Sequence, residues 1–369
     1  MPDTHTPPLP RLTWDIFCHV IDNWGDLGVC WRLSADLASR GQTVRLWVDD
    51  PSPLAWMAPG ALAGAWAGVE VRTWPRTTAA PPPRLPPGDV LIEAFGCEIA
   101  PAWVQALLPD RPGAQGVWLN LEYLSAESYV ERCHRLPSPV LSGPLSGRLK
   151  WFFYPGFTPS TGGLLRESDL MQRRDNFAST HQPPPTGPTP PSGDGPTVSL
   201  FCYEPAALPG LLRHPDLAHA HWRVAPGRAL AAFDAARSAL PATAQWTALP
   251  HCPQSAFDHT LWACDLNFVR GEDSLVRALW AGQAFVWQIY PQDDHAHHAK
   301  LEAFLDWLQA PPDLRQMHHH WNGIGHASAP RLGHATLARW RAAVCQARER
   351  LLQQADLSSQ LLGFVTEKR

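Results

Sequence analysis

The 369-residue chain has no apolar run that approaches a membrane span. It has no excess of basic charge: 30 Lys and Arg face 34 Asp and Glu, for a formal net charge of -4, and no basic run stands out. That balance lacks the electrostatic footprint of a nucleic-acid binder. The eight cysteines form no CxxC pair and read as small core residues in a reducing compartment. The first ten residues are polar and Pro-rich, without the basic start and apolar centre of a secretory leader. A Walker A loop, a G-x-S-x-G elbow and an HExxH helix are all missing, which disfavours P-loop NTPase, α/β-hydrolase and zinc-protease readings. These absences lead to the expectation of a cytoplasmic protein with no nucleic-acid or membrane partner.

What is present is the pattern of a globular α/β chain. Hydrophobic residues make up 45%, and the length suffices for two domains of ordinary size. The 18 Trp and 39 Pro fit the drift of a GC-rich genome that favours Arg, Ala, Pro and Trp over Lys, Ile and Asn. Trp at partner-binding surfaces is the alternative. Residues 16–21 read as a strand, and Val29, Leu33 and Leu37 mark a helix face that stops at Gly41. Residues 44–48 close a βαβ unit. Further strands are expected at 90–95, 117–121, 198–203, 222–225, 245–249, 264–269 and 284–288, with helices at 274–281 and over 336–362. The segment 182–196, QPPPTGPTPPSGDGP, has no large apolar side chain to bury and reads as a linker or loop. The expected organisation is a tail at 1–13, an N-terminal Rossmann-like domain at 14–181, the linker, a C-terminal Rossmann-like domain at 197–335 and C-terminal helices at 336–369. Two such lobes would enclose a cleft, the default ligand site.

Four places could carry chemistry. The first is the turn after the first strand, Asp22-Asn23-Trp24-Gly25-Asp26, with Gly28 behind it. Two acids there suit a cationic or proton-losing substrate better than a pyrophosphate. The plain alternative is that one of them caps the helix. The second is Arg270-Gly271-Glu272-Asp273-Ser274, where a strand gives way to a helix. Ser274 or Asp273 suits an N-cap, the helix start and Arg270 favour a phosphate, and Glu272 suits ribose hydroxyls or backbone N–H groups. The alternative is an ordinary cap with an exposed Arg. The third is Phe201 and Tyr203, two positions apart with Glu204 at the strand tip. They read as core, or as a platform for a base or sugar. The fourth is a His-rich stretch, His295, His297 and His298, with His318 to His320 beyond. Its spacing fits a solvated or partner-facing segment better than a zinc site.

DIFCHVIDNWGDLGVCWRLSADL, VRLWVDD, SLFCYE and FVRGEDSLVRALWAGQAFVWQIYPQDDHAHHAKLEAFL resemble the bacterial protein-arginine rhamnosyltransferases that mature elongation factor P. The resemblance runs from about residue 14 to the C-terminus. It implies an α/β GT-B glycosyltransferase, two Rossmann-like lobes around a central cleft. It implies inverting, metal-independent transfer of L-rhamnose from dTDP-β-L-rhamnose to an arginine of elongation factor P, which activates that factor for rescue of ribosomes stalled at polyproline. The family's two Asp fall on Asp22 and Asp26, and Asn23 and Gly25 lie on the same acceptor or sugar side. The donor-side residues fall on Phe201, Tyr203, Gln254, Arg270, Glu272, Asp273 and Ser274. The family's LPF-x-x-Q element appears as Leu249-Pro250-His251-Cys252-Pro253-Gln254, with His251 in place of Phe.

That chemistry agrees with the residues. A guanidinium, with a pKa above about 12, is a poor nucleophile that must be oriented and lose a proton. Asp26 is expected as the base and Asp22 as its orienting partner. The rival readings are a GT-B transferase with a small-molecule or lipid acceptor, and a nucleotide-sugar-binding module without turnover.

Overall fold

The computed structural model describes residues 10–20, 24–74, 81, 85–109, 116–180, 195–292 and 296–369. Asp22, Asn23, His295 and most of the Pro-rich segment lie outside them. Twelve strands are found among the described residues: β1 (Thr13–Cys18), β2 (Thr43–Val48), β3 (Val69–Thr73), β4 (Val90–Ala94), β5 (Val117–Leu121), β6 (Pro137–Pro139), β7 (Leu149–Phe153), β8 (Thr197–Leu200), β9 (His221–Val224), β10 (Gln245–Ala248), β11 (Leu266–Arg270) and β12 (Ala284–Gln288). They form two sheets, ordered β3-β2-β1-β4-β5-β7-β6 and β10-β9-β8-β11-β12. Every pairing is parallel except β6 with β7.

Each sheet reverses its winding once, between β1 and β4 in the first and between β8 and β11 in the second. At such a reversal neighbouring connections diverge and leave a crevice at the carboxyl ends of the strands. The strands β4, β5 and β12 are short, largely apolar and fully buried, as helices on both faces of a parallel sheet require. Aromatic rings fill one face of the first sheet: Phe17 stacks on Trp47 at 5.6 Å and meets Trp74 edge-on at 5.1 Å. Asp15, though an acid in β1, is structural. Fully buried, it accepts Arg45 Nε at 2.7 Å and Trp47 Nε1 at 2.8 Å.

The chain divides into two compact units, residues 1–122, 133–154 and 358–369 in one, 123–132 and 155–357 in the other. The expected boundaries followed the Pro-rich segment, but the chain crosses earlier and returns. Strand β7 adds a partner to β5, so 133–154 stays with the first sheet. The expected C-terminal helices are two, His334–Leu352 and Leu357–Lys368. The first buries Leu337, Trp340, Val344 and Ala347 in the second unit. Phe364 of the last helix packs on Trp151 and Phe153 at 5.5 and 5.8 Å, which ties it to the first.

Several strand ends differ from expectation. Strand β1 begins at Thr13, because Thr13 to Cys18 pair with Thr43 to Val48 residue by residue. Strand β8 ends at Leu200, so Phe201 and Tyr203 lie in the loop beyond it rather than on the strand. Strands β3 and β7 escaped the sequence reading because their partly exposed VEVRT and LKWFF carry no clean period. No helix among the described residues is long and apolar enough to cross a membrane.

Candidate active site

In the first unit, the carboxyl end of β1 leads to the helix Gly25–Ser39. The helix buries Leu27, Cys30, Trp31, Leu33 and Leu37. Its end is a Schellman motif: Gly41 N–H bonds the Ala38 carbonyl at 3.0 Å and Gln42 N–H bonds the Leu37 carbonyl at 3.1 Å. Gly41 has φ of 85°, a conformation that favours glycine. The N-cap is Trp24, whose carbonyl accepts the Gly28 N–H at 2.8 Å. Asp26 is therefore not the N-cap. It sits half-buried in the first turn, where the helix dipole favours a carboxylate. Beneath it, Cys18 and Cys30 are fully buried. The mutual thiol contact and burial push Cys18 well above the usual range, and burial raises Cys30. Both are inert protonated core residues. Beside the turn, the Asp49 carboxylate accepts the Val20 N–H at 2.9 Å and bonds the His19 ring. Gly25 opens the helix, and a Cβ there would meet nothing within 4 Å.

In the second unit, Arg270 ends β11 and Gly271 opens the helix Gly271–Ala281. Gly271 has φ of 62°, and a Cβ there would lie 3.5 Å from the Tyr203 hydroxyl. Glycine thus permits the sharp turn from strand to helix. This corrects the expected helix start at Ser274 and the expected cap. The N-cap is Arg270, in extended backbone. Ser274 accepts the Arg270 N–H at 3.0 Å and donates its hydroxyl to the Arg270 carbonyl. Ser274 is buried and braces the turn from inside.

The Arg270 side chain crosses to the loop after β8. Its guanidinium lies 4.5 Å from the Phe201 ring and 4.7 Å from the Tyr203 ring, and Nη1 donates to the Cys202 carbonyl at 3.1 Å. Among the described residues no carboxylate reaches ion-pair distance of Arg270. Burial holds its pKa below the usual range. Tyr203 is buried and pushed up to about 12 by that burial, so it stays a neutral phenol. Gln288 Oε1 accepts the Tyr203 N–H at 2.8 Å and fixes the loop. Tyr203 is buried and Phe201 packs against the core, and Arg270 lies over both rings.

Glu272 accepts the Leu124 N–H at 2.7 Å and Lys300 Nζ at 2.7 Å. The Leu124 bond is the backbone contact expected of it. Asp273 is in the same first turn. Gln254 opens the helix Gln254–Ala263 behind Pro253, and His251 is exposed. Phe257 of that helix faces Phe201 at 5.4 Å between ring centres. This helix is locked to the Arg270 helix by Arg277. Arg277 Nε and Nη2 bond the buried Asp258 at 2.8 and 2.7 Å, and Nη1 bonds Glu167 at 2.8 Å. Against the cost of full burial, Asp258 and Glu167 keep that guanidinium above its usual range.

Sequence reading missed Arg228, Tyr290 and Lys300. Arg228 lies 4.9 Å over Tyr203, Tyr290 meets Tyr203 edge-on at 5.5 Å, and Lys300 holds Glu272. Each comes from a different connection, and no local motif joins them. The His stretch is structural where described. His318 Nε2 accepts the Trp287 N–H and Nδ1 donates to the Leu314 carbonyl, both at 3.0 Å. His297 Nδ1 accepts the Gln292 N–H at 3.1 Å.

The chain matches the family described as Elongation-Factor P (EF-P) rhamnosyltransferase EarP over residues 14–366. It is 46% identical over 321 residues to a protein-arginine rhamnosyltransferase of Pseudomonas putida, covering 80% of this chain and 81% of that protein. It is 42% identical to one from Pseudomonas aeruginosa, covering 96% of this chain and 99% of that protein. A solved structure concerned with EarP-mediated arginine glycosylation of translation elongation factor EF-P aligns with a TM-score of 0.61 at 28% identity, over 97% of this chain and 100% of that one. A kitacinnamycin glycotransferase, 14% identical with a TM-score of 0.51 over 97% of this chain and 99% of that one, shares the fold alone. The two parallel sheets are those of a GT-B glycosyltransferase, and the chain belongs to the EarP family of protein-arginine rhamnosyltransferases.

Proposed function

We propose that the enzyme transfers L-rhamnose from dTDP-β-L-rhamnose to an arginine side chain of elongation factor P, with inversion at the anomeric carbon. One observation carries the donor half. At the winding reversal of the second sheet, Arg270 is held on two aromatic rings, and no carboxylate among the described residues lies at ion-pair distance from it. A partly buried guanidinium so placed suits a diphosphate, and the adjoining helix start adds its dipole. As the glycosidic bond breaks, the nucleoside diphosphate gains charge. Arg270 and the helix start stabilise that charge, and we place no metal in the step. Phe201, with Phe257 against it, offers stacking surface to the base, beside Gln254. Glu272, Asp273 and Ser274 shape the turn that presents the helix start.

For the acceptor half, Asp26 and Asp22 bind the guanidinium fork. A guanidinium nitrogen attacks the anomeric carbon as the bond to the diphosphate breaks, and Asp26 takes the proton. Asn23 and Gly25 fall between the two acids in sequence, and at Gly25 a residue with no side chain leaves room for the acceptor. The EF-P acceptor, the cytoplasmic setting and the effect on polyproline-stalled ribosomes are part of this proposal, supported by family membership. The test is to incubate the protein with dTDP-β-L-rhamnose and unmodified elongation factor P, then weigh the acceptor and its peptides. One deoxyhexose on one arginine is expected. An acceptor of unchanged mass, under conditions where a Pseudomonas relative modifies its own substrate, contradicts it.

A further inference from the structure

We propose that Arg228 is a second cationic contact for the donor diphosphate, held ready by an ion pair with Glu204 that the diphosphate displaces. The inference rests on the donor reading above and adds a residue and a conformational exchange to it.

Strand β9 ends at Val224, and Gly227, with φ of 77°, turns the chain into the helix Arg228–Ala236. This places Arg228 at the carboxyl edge of the second sheet, next to the loop after β8. Its guanidinium lies 4.9 Å from the Tyr203 ring, and the Arg270 guanidinium lies 4.7 Å from the same ring. Two cations therefore share one aromatic side chain. Their proximity is unfavourable: after burial, the Arg228 charge is among the causes that lower Arg270. Glu204 offsets it. Arg228 Nε donates to Glu204 Oε1 at 2.7 Å and Nη2 donates to Oε2.

The pair has the form of a stand-in for ligand. Among the described residues, the two cations over Tyr203 have one carboxylate at ion-pair distance, Glu204, and it bonds Arg228. The Arg228 and Glu204 side chains are 41% and 54% exposed, and ion pairs at such exposure contribute little to stability. Replacing Glu204 on Arg228 therefore costs little. A phosphate accepts the same two-pronged guanidinium geometry as a carboxylate. An ordinary surface ion pair would serve solubility alone. This one is seated on a buried Tyr whose loop is fixed by Gln288 and whose ring already carries Arg270. The Tyr203 ring keeps Arg228 in place once Glu204 lets go.

The test is calorimetric titration of the full chain with dTDP and with thymidine, on wild type, Arg228→Met and Glu204→Gln. Wild type should bind dTDP. Arg228→Met should weaken dTDP about tenfold, the loss expected for one charged contact, and leave thymidine unchanged. Glu204→Gln should strengthen dTDP, because the competing charge is gone. Misfolding cannot produce that gain. Unchanged dTDP affinity in Arg228→Met, or weaker dTDP binding in Glu204→Gln, overturns the exchange while leaving the donor reading intact. A wild type that binds no dTDP removes the donor reading as well.

Discussion

The carboxyl edges of the two sheets share one geometry and differ in charge. After β1 a helix begins with Asp26 in its first turn, over buried thiols and an aromatic layer. After β11 a helix begins behind Arg270, which lies across Phe201 and Tyr203. Both edges are winding reversals, where a parallel sheet leaves room for a ligand. The fold supplies two comparable places, and on the proposed function the side chains at the tips suit one to a cation and the other to an anion. The supports differ too. Ring packing around Phe17 backs the first sheet, whereas the Arg277, Asp258 and Glu167 ion network holds the second helix start.

The largest expected effect separates those supports. Arg277→Met takes the two close guanidinium bonds from the buried Asp258 and should cost about 3–5 kcal/mol in urea unfolding, as broken buried pairs do. Exposed Arg237→Met, whose partner Asp234 faces solvent, should cost less than about 1 kcal/mol. Equal losses would mean that the buried network is not what supports the second edge.

A smaller effect follows from pH. His318 is buried and His134 half-buried, and desolvation lowers each from 6.5 to about 4 in the folded chain. The unfolded chain binds these protons first as pH falls. Stability contributed by the neutral rings is therefore full above pH 6.5 and is lost progressively toward about 4. Urea midpoints measured from pH 7 downward should decline through that window. His318 belongs to the second unit and His134 to the first, so neither edge should be spared. Flat midpoints would show that the rings are not held neutral.

The smallest effect concerns the base. His251→Phe should strengthen dTDP binding by less than about tenfold, the range of one aromatic pair, because Phe257 already faces Phe201. A larger gain would mean that Phe257 does not substitute for the missing ring.

The sequence showed most of the parallel strands, because buried strands are short apolar runs with turn residues at both ends. It also showed Gly41 as a helix stop, since the Schellman geometry is local. It placed Asp26 and Arg270 at strand-to-helix junctions, where their roles depend on topology. What it did not show is long-range. Arg228 and Tyr290 meet Tyr203 from separate connections, and Glu272 finds Leu124 across 148 positions of sequence. The cap was misassigned because Ser274 looked like a first-turn hydroxyl. Gly271 allowed the helix to start earlier and turned Ser274 inward.

The division between an acidic acceptor edge and a cationic donor edge is tested most directly by one crossed experiment. Asp26→Asn and Arg270→Met are each assayed for dTDP affinity and for rhamnose transfer to elongation factor P. The account predicts that Asp26→Asn binds dTDP like wild type and loses transfer about 10²–10⁴-fold, the range for a general base. It predicts that Arg270→Met loses dTDP affinity about 10–100-fold, as expected for a charged contact. Weak dTDP binding by Asp26→Asn together with wild-type binding by Arg270→Met would contradict it.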